Sequence, residues 1–273
     1  MKHLKILLFS FFILASLNSF SQRPPFPDYS YKPDKKYFKS YLSLSGEIVK
    51  SPLNWNKKQW LFAGGVTAGA IVLYQFDKEI LDFFQANQSS GADFASKYIF
   101  EPTGRGIYPA LLIGGFYTYG LITDDLQTRQ VALGATRAFV VSIVGAQVLK
   151  HLTHRHRPYQ DLPPNPRLWE GPFKGFEYTS FPSGHTITAF TLASFFSRVY
   201  KDKLWVGILS YGLATGVGLE RLYNSQHWSS DVFVGAVLGV AIGQLAARTM
   251  LGDKRLSMGF SETGGVALTY RLD

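Results

Sequence analysis

The chain has 273 residues, enough to bury a sizeable core, and one large domain is the default expectation. Its formal net charge is +9, yet no run of Lys and Arg resembles a nucleic-acid-binding patch. We therefore favour an anionic small substrate or a lipid over nucleic acid as the partner. The chain has no cysteine, which excludes disulfides and thiolate metal sites.

Residues 1–21 are predicted to be a signal peptide. Lys2 and Lys5 precede an apolar run at residues 6–17, which small polar residues follow. The alternative is a short membrane anchor that stays in the mature protein. Both interpretations direct the chain to the cell envelope.

The rest of the chain divides into three predicted parts. Residues 22–58 begin rich in Pro and polar groups and are predicted to be a tether with an amphipathic lead-in. Residues 59–250 form the main domain, and residues 251–273 a C-terminal tail. Within the tail, residues 264–272 alternate apolar and polar side chains, which predicts a lone strand or a frayed end.

The main domain contains six long apolar stretches rich in Gly and Ala, which favour helices over strands. They lie at residues 60–76, 107–123, 131–149, 186–197, 204–219 and 232–247. The predicted fold class is therefore all-α, a six-helix bundle.

The bundle is predicted to be membrane-associated. A spanning helix needs roughly 20 apolar residues, and several stretches are shorter, while Arg137 lies inside the third. In favour of a membrane, the Gly and Ala spacing at residues 63–69 suits close helix packing in lipid. A soluble bundle is the alternative.

The side of the membrane on which the site lies depends on the N-terminus. If the signal peptide is removed, three spans bring Lys150 to the cytoplasmic face. If the leader is retained, or if one later segment does not cross, the same residue faces outward. We favour a site that faces the periplasm.

The first chemistry-bearing segment covers residues 150–158 (KHLTHRHRP). Lys150 offers a point charge and Arg157 a planar fork that matches two phosphate oxygens. Pro158 predicts that the third helix ends here. A basic helix end that balances the helix dipole would give the same pattern.

The second segment, residues 182–185 (PSGH), precedes the fourth helix. A helix start offers free backbone N–H groups to an anion. Gly184 lets the backbone approach a ligand, Ser183 can donate its hydroxyl, and His185 can give a proton to a leaving oxygen. Ordinary helix capping by Ser183 is the alternative.

The third segment, residues 221–231 (RLYNSQHWSSD), contains Arg221, His227 and Asp231. On a helix start, a spacing of four places the carboxylate of Asp231 behind the imidazole of His227. This arrangement suits a histidine nucleophile that forms a phospho-histidine. Arg221 supplies a third cation, and a simple cap of the sixth helix is the alternative.

All three segments are predicted to lie at the same end of the bundle. Helices three and five run toward that end, and helices four and six run away from it. The histidines at 151, 154 and 156 suggest a metal site, but three basic neighbours and the lack of a nearby carboxylate argue against it. We expect these histidines to line the mouth of the site or the surface, and we expect no metal ion or other cofactor.

These segments resemble the signature of the type 2 phosphatidic acid phosphatase (PAP2) superfamily, which includes bacterial acid phosphatases, lipid phosphatases and vanadium haloperoxidases. The signature falls on Lys150, Arg157 and Pro158, then on Pro182, Ser183, Gly184 and His185, and finally on Arg221, His227 and Asp231. One residue departs from the pattern, since Glu220 stands where the family usually has Ser. This change weakens one secondary phosphate contact or shifts the local charge.

The resemblance implies an all-α bundle and metal-independent hydrolysis of a phosphomonoester or a diphosphate. It implies that His227 attacks phosphorus, that Asp231 orients it, and that His185 protonates the leaving group. The phosphoryl oxygens would be held by Lys150, Arg157, Ser183, Gly184 and Arg221.

The leading hypothesis is an envelope phosphatase that acts on a lipid phosphate or lipid diphosphate. A soluble periplasmic acid phosphatase of broad specificity, acting on small phosphoesters, is the first alternative. A haloperoxidase and a non-catalytic membrane scaffold are the others.

Overall fold

A computed structural model describes residues 26, 29–175, 177–252, 256–260 and 266–270. The predicted signal peptide at residues 1–21 lies outside the described residues. The described part contains ten α-helices: α1 (Lys35–Lys50), α2 (Lys57–Gln75), α3 (Asp77–Ala86), α4 (Ser90–Ala95), α5 (Glu101–Gly104), α6 (Ile107–Ile122), α7 (Leu126–Thr153), α8 (Gly184–Val199), α9 (Leu204–Tyr223) and α10 (Ser229–Leu251). It also contains a 3₁₀ turn, Ser51–Asn54, and a π turn, Ser96–Phe100.

The predicted all-α class is confirmed. Each of the six predicted apolar helices corresponds to one observed helix, namely α2, α6, α7, α8, α9 and α10. The predicted count of six is too low for the described part, because α1, α3, α4 and α5 are short or amphipathic and have no long apolar run.

Helix α1 lies in the segment predicted to be a tether and lead-in. The Asp34 side chain caps its start by accepting a hydrogen bond from the Tyr37 backbone N–H at 2.8 Å. Tyr37 and Leu44 are buried, and the Tyr37 hydroxyl donates to the Leu133 carbonyl at 3.2 Å. These contacts attach α1 to the side of α7.

Helix α8 lies at the centre of the bundle and packs against α7, α9 and α10. Most of its residues are buried, including polar ones such as Thr191 and Ser194. The Ser194 hydroxyl donates to the Val240 carbonyl of α10 at 3.0 Å, so a polar group inside the bundle finds a partner across a helix interface.

A stripe of glycines brings α10 against α8. Gly235, Gly239 and Gly243 recur at every fourth position. A Cβ atom on Gly239 would lie 2.5 Å from the Ile187 carbonyl oxygen, and one on Gly243 would lie 2.2 Å from that of Thr191. Only glycine permits this approach of two helix backbones, which is typical of helices packed by small residues.

Several helices expose large apolar side chains on the outside of the bundle. Exposed examples on α6 and α9 are Leu111, Ile122, Leu204 and Ile208. Two described helices, α7 and α10, are long and apolar enough to cross a membrane by length and composition, with mean hydropathy of 1.6 and 1.7. An apolar outer surface of this extent is typical of a protein that meets lipid.

The C-terminal tail contains a two-stranded antiparallel hairpin. Strand β1 (Leu256–Phe260) pairs with β2 (Val266–Tyr270), with Met258 opposite Leu268. The strand predicted within residues 264–272 is therefore present, and it is paired rather than alone.

Replacing Gly239 with Ala is expected to destabilise the protein by about 1–3 kcal/mol, because the added methyl group collides with α8. The measurement is the midpoint of thermal unfolding in detergent. Gly114→Ala is the matched control, since a Cβ atom there meets nothing within 4 Å. An equal midpoint for Gly239→Ala and Gly114→Ala would contradict the close packing of α8 and α10.

Candidate active site

The three predicted segments lie at one end of the bundle, where α7 and α9 end and α8 and α10 begin. The Thr153 hydroxyl at the end of α7 donates to the Phe181 carbonyl at 3.1 Å. The Ser183 backbone N–H donates to the Asp231 carbonyl at 3.2 Å, which joins the start of α8 to the start of α10. The structure therefore brings the three segments together as the helix directions predict.

The side chains of Lys150 and Arg157 both bond Thr179. The buried Lys150 ammonium donates to the Thr179 carbonyl, and the Arg157 guanidinium donates to the Thr179 hydroxyl at 3.2 Å. A second Arg157 nitrogen donates to the Gln226 side chain at 3.1 Å, directly beside His227. These contacts place both cations between residues 154–183, which connect α7 to α8, and the start of α10.

The turn at Ser183 and Gly184 packs against Lys150. A Cβ atom on Gly184 would lie 3.4 Å from Cε of Lys150, so the turn and the cation are in van der Waals contact. Ser183 is fully buried, and its hydroxyl lies 2.8 Å from that of Thr186 in the first turn of α8. Ser183 makes no side-chain cap hydrogen bond, so capping does not account for this serine.

His185 lies among cations. Its ring packs against Gly104 of α5, where a Cβ atom would come within 2.7 Å of Cδ2. Arg221, Lys150 and Arg157 all act on the ring electrostatically. Its Nε2 atom is buried and has no hydrogen-bond partner among the described residues.

Arg221 pairs with the residue that departs from the family pattern. Its guanidinium donates through two nitrogens to the buried carboxylate of Glu220, which also accepts from Asn224. The Arg221 carbonyl accepts from the His227 backbone N–H at 3.3 Å. Glu220 therefore shifts the local charge, because it neutralises one of the three cations of the site.

His227 and Asp231 are both buried at the start of α10, but their contact is looser than the spacing predicts. The Nδ1 atom of His227 lies 3.8 Å from Oδ2 of Asp231, which is longer than a hydrogen bond. The reason is that α10 begins at Ser229, so His227 precedes the helix instead of lying one turn before Asp231 on it. Nδ1 has no hydrogen-bond partner among the described residues.

The pKa of the His227 imidazole is lowered to about 3. Burial is the main cause, because it penalises the charged form. Lys150 and Arg157 lower the pKa further, while Asp231 opposes the shift. The ring is therefore neutral near neutral pH, which is the state in which a ring nitrogen can act as a nucleophile.

Arg155 is a central residue of the site that sequence reasoning missed. Its guanidinium is fully buried and donates to Oδ1 of Asp231 at 2.5 Å and to Oδ2 of Asp77 at 2.7 Å. The rings of Tyr74, Trp169 and Trp228 surround it, with centroids 4.9–5.5 Å away.

The other carboxylate oxygen of Asp231 is also occupied. Its Oδ2 atom accepts from the Ser180 hydroxyl at 2.5 Å and from the Trp228 backbone N–H at 3.0 Å. The orientation of Asp231 is therefore fixed from both sides. The sequence does not predict these roles of Ser180 and Asp77. Ser180 bonds Asp231 and Asp77 bonds Arg155, and both contacts join residues that are far apart in the chain.

The three neighbouring histidines do not all lie at the mouth or surface as expected. His154 and His156 are buried, and only His151 is partly exposed. His154 bonds the Glu177 carbonyl at 2.8 Å, and His156 lies between Asp161 and Glu170 and stacks on Tyr178. These contacts organise the long connection 154–183. No group of three or more candidate metal ligands occurs among the described residues.

Acidification is expected to destabilise the protein through His227. Because its folded pKa lies below its ordinary value of about 6.5, the unfolded state takes up a proton that the folded state does not, and stability falls as pH decreases toward 3. The expected loss is at most about 1.4 kcal/mol per pH unit. His227→Gln lacks this group, so its unfolding midpoint should fall less between neutral and acid pH. Equal falls in both proteins would contradict the buried neutral ring.

Comparison with known proteins finds similarity to the same superfamily over part of the chain. A sequence model of the PAP2 superfamily matches residues 131–255. A lipid A 1-phosphatase of Porphyromonas gingivalis is 40% identical over 72 residues, which are 26% of this chain and 16% of that protein. An undecaprenyl-diphosphatase of Sulfolobus acidocaldarius is 30% identical over 122 residues, which are 45% of this chain and 56% of that protein.

A solved structure supports the fold. The crystal structure of a transmembrane PAP2 type phosphatidylglycerolphosphate phosphatase from Bacillus subtilis covers 83% of this chain and 99% of its own, with a TM-score of 0.50 and 23% identity. The chain spans less than two thirds of the length of the two relatives above. The match to the PAP2 superfamily covers residues 131–255, which are slightly less than half of the chain, and the three motifs all lie within this segment.

Proposed function

We propose that this protein is a phosphatase that hydrolyses a phosphomonoester or a diphosphate of a lipid through a phospho-histidine at His227. The observation that carries the proposal is the meeting of Lys150, Arg157 and the start of α8 beside a buried, neutral His227. A cluster of cations around a neutral imidazole suits an anion that is to be attacked.

The reaction runs in two displacements. Nδ1 of His227 faces Asp231, so Nε2 is the atom that attacks phosphorus as the bond to the leaving oxygen breaks. His185 gives its proton to that oxygen. In the second step a water molecule attacks the phospho-histidine, gives a proton back to His185 and releases phosphate, which restores His227.

His185 needs a proton before the first step, although cations surround it. The substrate offsets these positive charges, because a phosphate group brings negative charge next to the His185 ring and favours its protonated form. His227 stays neutral because burial, together with Lys150 and Arg157, lowers its pKa, and it remains available as the nucleophile. The two histidines thereby take opposite roles in one pocket.

The negative charge on the transferring phosphoryl group is stabilised by Lys150, Arg157 and Arg221 and by the first N–H groups of α8. Ser183 adds its hydroxyl from a buried position. Glu220 holds Arg221 in the free protein, so substrate oxygens compete with this carboxylate for the guanidinium.

A lipid substrate is favoured by the surface around the site. The helices that form the site also expose apolar side chains outward, among them Val148 and Leu152 near the end of α7 and Leu219 near the end of α9. A lipid chain can follow these side chains while its phosphate enters the cluster of cations. Two relatives are named for lipid A and for undecaprenyl diphosphate, which belong to this chemical class.

Purified protein in detergent, with EDTA present, is expected to release phosphate from at least one lipid in a panel of lipid monophosphates and diphosphates. His227→Ala should lower kcat by at least about a thousandfold and His185→Ala by about a hundredfold or more. His151→Ala is the matched control and should keep full activity, because His151 lies on the outer side of α7.

Three results would contradict the proposal. One is the absence of phosphate release from every lipid in the panel. The second is an active His227→Ala protein. The third is hydrolysis of soluble phosphoesters alone by a protein that a high-salt wash removes from the membrane, which would favour the soluble acid phosphatase.

We also propose that the protein resides in the cell envelope with its site facing the periplasm. The chain has no cysteine, so a single introduced cysteine reports its own location without background. A membrane-impermeant maleimide added to intact cells should label Gln160→Cys, which is exposed beside the site. It should not label Lys201→Cys, which is exposed at the opposite end of α8. The reverse pattern would place the site in the cytoplasm.

A further inference from the structure

Asp77 is a buried carboxylate that lies outside the segment matched by the family model. It begins α3, it is 1% exposed, and the matched segment starts only at residue 131. Its Oδ1 atom accepts from the Ser229 hydroxyl at 2.7 Å and from the Ser230 backbone N–H at 2.9 Å. Its Oδ2 atom accepts from the Ser230 hydroxyl and from Arg155, both at 2.7 Å.

Ser229 and Ser230 belong to the first turn of α10, which also carries Asp231, and Arg155 bonds Asp231 directly. Arg155 uses one terminal nitrogen for Asp77 and the other for Asp231. The Ser230 hydroxyl accepts from Arg155 at 2.8 Å while it donates to Asp77, so Asp77, Ser230 and Arg155 form a closed ring of hydrogen bonds. A polar network in which every member has a partner is rigid.

The negative charge of Asp77 also affects the electrostatics of the site. Arg155 is a permanent cation between two carboxylates, and all three groups are shielded from water. Without the negative charge of Asp77, Arg155 would be balanced by Asp231 alone. The electrostatic potential at the imidazole of His227 would then be less negative.

We propose that Asp77 is a positioning residue of the active site, which sets the place and the charge of Asp231 by holding Arg155 and the first turn of α10. The inference rests on the phosphatase function proposed above. It extends the functional site to α3, which carries none of the three motifs.

The test compares Asp77→Asn with wild type in full-length protein. We expect kcat to fall by about 10- to 100-fold with KM little changed, because a shift of about 1 Å at the reacting groups has this effect. We also expect the acid limb of the kcat/KM profile to move to lower pH, because His227 loses negative potential. A merely structural role would reduce the amount of folded enzyme without moving this limb.

An exposed carboxylate of the same helix provides the control. Asp82→Asn makes the same change on an exposed residue of α3 that pairs with Lys78, and it should leave kinetics unchanged.

If Asp77→Asn does not fold, Ser230→Ala takes its place. This variant keeps the backbone N–H that Asp77 accepts and removes only the hydroxyl that links Asp77 to Arg155. We expect a several-fold fall in kcat and the same direction of the pH shift. Wild-type kinetics in both Asp77→Asn and Ser230→Ala would overturn the inference.

Binding of orthovanadate, measured by calorimetry, separates this inference from the proposed function. Orthovanadate mimics the phosphoryl group and needs no turnover, and we expect Asp77→Asn to bind it about tenfold more weakly. Equal affinity, with an active wild type, would refute the role of Asp77 alone. Weaker binding with no substrate hydrolysed by wild type would refute the phosphatase function alone. Failure of wild type to bind orthovanadate would refute both.

Discussion

Arg155 is a cation enclosed by protein, and the arrangement of the site follows from the need to balance it. A buried guanidinium cannot give up its proton, so it requires carboxylates and aromatic faces around it. Asp77 comes from α3, Asp231 from α10 and the surrounding rings from three different parts of the chain. The groups that balance the charge of Arg155 therefore hold together the parts of the chain that form the site.

Helix packing sets the distance between the two halves of the proposed phosphate site. The glycine stripe of α10 lets its backbone touch that of α8, and the stripe begins at Gly235, where a Cβ atom would lie 2.9 Å from the Ser183 carbonyl. The turn at Ser183 and Gly184 and the start of α10 are consequently held by backbone contact. These backbone contacts also fix the relative positions of the side chains near the two helix starts, including His185 and His227.

Sequence patterns were sufficient to predict the long helices and to predict that the three motifs meet at one end of the bundle. Uninterrupted apolar runs fix where α2 and α6–α10 lie, and the direction of each helix decides which ends meet. Helix α1 was not foreseen as part of the core, because its polar residues hide a narrow apolar stripe that includes Tyr37 and Leu44.

The rest of the site depends on contacts between distant residues. Arg155 stands between two histidines that resemble surface groups, and nothing near it in the chain points to Asp77, 78 residues away. The burial of His154 and His156 has the same origin, because it arises from the fold of the connection 154–183. The loose contact between His227 and Asp231 depends on where α10 begins, and helix boundaries are poorly fixed by local sequence.

Glu220 gives this site a charge balance of its own. Its carboxylate neutralises Arg221 in the free protein, which leaves Lys150 and Arg157 as the cations that share Thr179. The turn of α8 adds the positive end of a helix dipole to these two cations. In the proposed reaction, an incoming phosphate group would therefore meet positive charge on the side of α7 and a neutral ion pair on the side of α9.

The most direct test of the account is to trap the covalent intermediate. The wild-type protein is mixed with a radiolabelled lipid phosphate, quenched in alkali, in which phospho-histidine is stable, and the labelled residue is identified by mass spectrometry. The account predicts a phosphoryl group on Nε2 of His227. Phosphate release with no label on His227, or with the label on another side chain, would contradict it.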